Sequence, residues 1–75
     1  MKIVIFTDDG MQDIEAPDGT LSWSVINHDG SELEAPVDMY VYRELSIHKF
    51  AYIVKFRHVT QDEIDGAVIQ YGYDV

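Results

Sequence analysis

Residues 47–58 read Ile47-His48-Lys49-Phe50-Ala51-Tyr52-Ile53-Val54-Lys55-Phe56-Arg57-His58, and they alternate over their whole length. His48, Phe50, Tyr52, Val54, Phe56 and His58 fall on one side, and Ile47, Lys49, Ala51, Ile53, Lys55 and Arg57 on the other. Order of period two sustained this long predicts a strand, because successive side chains of an extended backbone point to opposite faces. The aromatic side is expected to face the core, with Lys49, Lys55 and Arg57 turned outward or toward acidic segments. The period then changes. Thr60 is followed at the third position by Glu63, the pattern of a capping box, with Val59 and Ile64 placed as a hydrophobic staple. Ile64, Ala67, Val68 and Tyr71 recur at i, i+3, i+4 and i+7, one face of a helix. Asp62, Glu63 and Asp65 lie near its start, where the helix dipole favours anions, and Gly72 is placed as its stop.

Upstream, Asp-Gly pairs occur at Asp9-Gly10, Asp18-Gly19 and Asp29-Gly30. Glycine accepts positive φ and aspartate bonds its own backbone, so these pairs mark turns. The segments between them, Lys2–Phe6, Met11–Glu15 and Leu21–Asn27, read as short strands. In the last, Leu21, Trp23 and Val25 alternate with Ser22 and Ser24. Ile14-Glu15-Ala16-Pro17 is echoed by Leu33-Glu34-Ala35-Pro36. Two copies do not make a solenoid, and the prolines place both at strand ends or edges. Val37–Tyr42 alternates as well. Its Val and Tyr content favours a strand over a competing helical spacing through Val37, Tyr40, Val41, Glu44 and Leu45. The expectation is one α+β domain over residues 1–75: a small antiparallel β-meander of four or five strands with one C-terminal α-helix packed on the sheet.

Seventy-five residues leave room for one small core. Hydrophobic residues at 47% and aromatics at 12% separate the chain from a disordered acidic tail. It has no cysteine, which excludes disulfides, thiolate metal sites and a Cys nucleophile. A core of this size supplies only about 3–5 kcal/mol, so a second copy or a partner is a natural source of further stability. The apolar run Ile3–Phe6 is too short for a signal-peptide core or a membrane span, and a cytoplasmic protein is expected.

Few groups suit catalysis. His28, His48 and His58 show no metal-ligand spacing, and His48 and His58 would lie about 33 Å apart along one strand. Asp8, Asp9 and Asp13 lack the alternation, glycine position and final glutamate of a calcium loop. There is no nucleophile elbow and no glycine-rich phosphate loop. The expectation is a non-enzymatic protein without cofactor or metal.

Charge carries more. With 14 acids against 5 bases the net charge is −9, which repels nucleic acid and anionic membranes alike. Residues 1–38 carry −8, residues 39–58 carry +3 and residues 59–75 carry −4. The acidic half supplies the candidate partner-binding residues Asp8, Asp9, Asp13, Glu15, Asp18, Asp29, Glu32, Glu34 and Asp38, with the turn acids expected to matter most. Such a face is steered to a basic protein surface. In size, charge and lack of cysteine the chain resembles the small acidic inhibitors that phages and mobile elements carry against host nucleic-acid enzymes, such as anti-CRISPR and anti-restriction proteins. That resemblance implies docking by charge mimicry and carries no residue roles with it. The alternative is a structural subunit stabilised by homo-oligomerisation, a homodimer for instance, or by a larger assembly. Tyr40, Tyr42, Tyr52, Tyr71 and Tyr73 exceed what so small a core hides, so an exposed aromatic patch is expected too.

Overall fold

A computed structural model describes residues 1–75. Its elements are β1 (Lys2–Thr7), β2 (Gly10–Glu15), β3 (Ser22–Ile26), β4 (Glu32–Pro36), β5 (Asp38–Glu44), β6 (Ile47–Lys55), α1 (Gln61–Tyr71) and β7 (Tyr73–Asp74). The α+β class, the single C-terminal helix on a sheet and the strand at residues 38–44 all follow the sequence. The connectivity is not a meander. Strands β2, β1, β6 and β5 lie side by side in that order, β7 pairs the start of β6, and β3–β4 form a separate two-stranded ribbon. β1 and β6 run parallel, with Ile3 opposite Tyr52 and Phe6 opposite Lys55, and the remaining pairs are antiparallel.

The physical reason lies in Ile3-Val4-Ile5-Phe6. All four side chains are buried, two on each face of the sheet. A strand that is apolar on both faces belongs at the centre of a sheet covered twice, and a meander would have left it at an edge. α1 provides one cover. Ile64, Ala67 and Val68 pack on Val4, Phe6, Ala51 and Ile53. The ribbon provides the other, with Trp23 and Ala35, joined by Val37, against Ile3, Ile5 and Val54. The long strand therefore buries both Ile53 and Val54, instead of one face only. Phe56, expected in the core, lies just beyond β6 and is half-buried at the ribbon side.

The helix starts as its sequence requires. Thr60 Oγ1 accepts the Glu63 N–H at 3.3 Å, and the Glu63 carboxylate accepts the Thr60 N–H at 3.3 Å. Val59, before the cap, is buried with Ile64. The helix ends for a reason the sequence hid. Gly72 has φ −70°, where any residue is at ease, yet a Cβ there would meet Val68 O and would come within 2.8 Å of Phe50 O. Glycine lets the chain pass this close to β6 before it pairs as β7.

Arg57, expected to face outward or meet an acidic segment, meets Glu63 and ties three elements together. Its Nε donates to Thr7 O, its Nη1 to His58 O and its Nη2 to Glu63 Oε2, each at 2.8 Å. The guanidinium also lies 5.4 Å from the centre of the Phe6 ring. The end of β1, the segment after β6 and the first turn of α1 are thereby locked at one end of the sheet.

Candidate functional site

The Asp-Gly turn between β1 and β2 sits at that locked end. Thr7 Oγ1 accepts the Asp9 N–H at 3.2 Å and donates to Gly10 O at 3.4 Å, so the turn closes on its own side chain. Gly10 opens β2 at φ +125°, which only glycine takes without strain. Asp8 and Asp9 are exposed at the tip.

Facing them is the end of the ribbon. Asn27 N–H donates to Ser31 O at 2.8 Å, and Asp29 Oδ1 accepts from Ser31 N–H at 2.9 Å and Ser31 Oγ at 2.6 Å. These bonds hold the Asp29 carboxyl below its ordinary pKa, the Ser31 hydroxyl contributing most. The two turns enclose an open cleft of about 360 Å³. Asp8, Asp9, Gln12, Asn27 and His28 give it a polar rim, and Met11, Val25, Ile26, Leu33 and Phe56 give it an apolar lining. A smaller groove of about 230 Å³ lies beside α1, walled by Arg57 and Glu63, whose charges already satisfy each other.

The nine sequence-nominated acids divide. Asp8 and Asp9 come together at the cleft. Asp18 and Glu15 lie 3.0 and 3.7 Å from the Met1 ammonium. Asp29 is occupied by Ser31, and Glu34 accepts from Ser24 Oγ at 3.5 Å. Asp13 on β2, Glu32 on β4 and Asp38 at the head of β5 are exposed, without an ion pair or a side-chain hydrogen bond, and lie outside the cleft. Of the turn acids only Asp8 and Asp9 are free of internal partners.

The sequence reading missed the lining. Val25 and Leu33 oppose each other across the ribbon, and their period-two placement was the available signal. His28, without metal-ligand spacing in the sequence, lies in the turn at the ribbon tip and reaches the cleft rim. No group of three or more His, Asp or Glu side chains is placed to hold a metal ion. No helix is long and apolar enough to cross a membrane. No protein-family model matches the chain, and neither a curated protein nor a solved structure matches it.

Proposed function

We propose that this chain is a non-enzymatic acidic module that docks a basic protein surface through the cleft between the β1–β2 turn and the ribbon tip. The observation that carries the reading is the composition of that cleft: two unpartnered carboxylates, Asp8 and Asp9, above an apolar lining of Val25, Leu33 and Phe56. A lysine or arginine side chain has the matching build, an aliphatic stem with a cation at its end. Its stem would cover the lining while its head meets the carboxylates. The net charge of −9 would draw such a surface in from a distance, and Asp13 and Glu32 would add to the attraction without touching the bound side chain. The fuller form of the proposal is an inhibitor of a cytoplasmic nucleic-acid-processing enzyme that occupies its cationic groove in place of the phosphate backbone. The exposed, unpaired carboxylates favour this form, since they are the charges such a groove would meet.

The test uses a short arginine-rich peptide as probe and amide chemical shifts as readout. Shifts should gather at residues 7–12, 25–28, 33 and 56. Asp8→Asn/Asp9→Asn should remove them, and binding should weaken steeply as salt rises, because exposed pairs are screened over about 10 Å at 0.1 M. Shifts spread evenly over all the acidic segments, or unchanged in the double variant, would refute the cleft as the site.

A further inference from the structure

The sheet has an open edge that matches itself. β5 is the outermost strand of the order β2-β1-β6-β5, and no turn, loop or cap hydrogen bond engages a backbone group of residues 38–44. Its outward N–H and C=O groups are free to pair with another strand. The other open edges are less suited to this. β2 carries Asp13 and Glu15, β4 carries Glu32 and Glu34 and ends at Pro36, and β3 is only five residues long and presents Ser22 and Ser24. β5 has seven residues, with no charge between Asp38 and Arg43. On the face away from α1, Met39 and Val41 remain 59% and 46% exposed, beside Phe50, whose ring meets Tyr52 edge to face and Tyr73 at a tilt.

We propose that β5 pairs antiparallel with β5 of a second copy, about a two-fold axis at Tyr40, joining two sheets into one. Charge selects the partner. Most of this chain repels its own kind, but β5 and its neighbour β6 together carry +1, against −1 for β1 with β2 and −2 for the ribbon, so two copies meet along this edge with the least repulsion. Charge also selects the register. A two-fold perpendicular to the sheet sets residues of like parity opposite each other. Centred on Val41, it would place Asp38 against Glu44 of the second copy, two like charges face to face. Centred on Tyr40, it sets Met39 against Val41 twice, Asp38 against Tyr42, and Arg43 against Val37, with no like charges opposed. The exposed Met39 and Val41 of both copies then form one apolar strip, continuous with Phe50 and Tyr52. The contact is isologous, so it closes at two copies.

Sedimentation measures the mass of the intact chain from about 1 µM to about 1 mM at low and high salt. A dimer is expected. It should tighten as salt screens the overall negative charge, the opposite of the salt response expected of the cleft, so failure of one idea is distinguishable from failure of the other. Val41→Lys, at an exposed site, should weaken the dimer at least about tenfold by setting an ammonium within the apolar strip while leaving the circular dichroism unchanged. Leu21→Lys, just before β3 and outside the cleft, should leave the mass alone. Tyr40→Cys adds the one cysteine of the chain directly opposite its own copy, within disulfide reach, and should cross-link on mild oxidation. A monomer across the whole range overturns the proposal. So does a dimer that survives Val41→Lys, or one abolished by Leu21→Lys instead.

Discussion

If the sheet is covered on both faces, trimming one methylene from either side should cost the same. Ile5 faces the ribbon and Ile53 faces α1, and both are 0% exposed. Ile→Val removes one buried methylene, worth about 0.8 kcal/mol by transfer. The measured range for such trims in cores is about 0.5–1.5 kcal/mol. Against a total of about 3–5 kcal/mol for a core this small, each variant stays folded and its loss is a large fraction of the whole. A domain of this length loses about 4–8 °C of melting temperature per kcal/mol, so each change should lower it by several degrees. Urea titration gives the free energy, read by circular dichroism and by the fluorescence of Trp23, the single tryptophan, which packs over Ile5's cluster. The two signals should move together in both variants. If Ile53→Val costs about 1 kcal/mol while Ile5→Val leaves the midpoint unchanged, the ribbon is not a cover, and the explanation given for the central position of β1 is wrong.

Three further outcomes follow from the helix and its ends. Thr60→Ala removes the side-chain acceptor of the capping box and should cost about 0.5–2 kcal/mol in a urea melt. Gly66→Ala should stabilise by about 0.5–1 kcal/mol, since a Cβ there meets nothing within 4 Å, whereas Gly72→Ala should destabilise because its Cβ meets Val68 O and Phe50 O. Glu63 is held below its ordinary pKa of 4.5, first by the Arg57 guanidinium and then by the Thr60 N–H, so the folded form takes up its proton less readily than the unfolded chain. That contribution is full above the ordinary value and drains away as the pH falls through the lowered one; melting temperature against pH should therefore drop less on the acid side in Glu63→Gln than in wild type.

Local patterns were legible where the chain decides its structure locally. The alternation of residues 47–55, the Thr60–Glu63 box and the turns at Asp9, Asp18 and Asp29 depend on neighbours a few residues away, and all three glycines of those turns adopt positive φ. The β1–β6 pairing depends on segments at opposite ends of the chain, and no turn between them announces it. The signal lay in Ile3–Phe6, apolar at every position; the hairpin announced by Asp9-Gly10 does form, but it accounts for only one edge of β1. Arg57 meets an acidic segment through Glu63, as its charge suggests, but alternation could not show that it lies past the end of the strand, where its fork also reaches two backbone carbonyls. For the site, the acids were visible as letters but their internal partners were not. Asp18 and Asp29 look equal to Asp8 and Asp9 in sequence, and only the fold shows that Met1 and Ser31 occupy them.

The parallel pairing of β1 with β6 also governs how the chain acquires its shape. β1 precedes β6 by some forty residues, yet its four apolar side chains need Tyr52–Lys55 as central neighbour and α1 as one of their covers. Closing so long a loop is the slow step, because its entropy is lost before any contact across it forms. The β5–β6 hairpin, joined by the two residues Leu45 and Ser46, needs no such wait and is the natural first structure. A fragment that stops short of residue 52 leaves Ile3–Phe6 without the strand that flanks them in parallel.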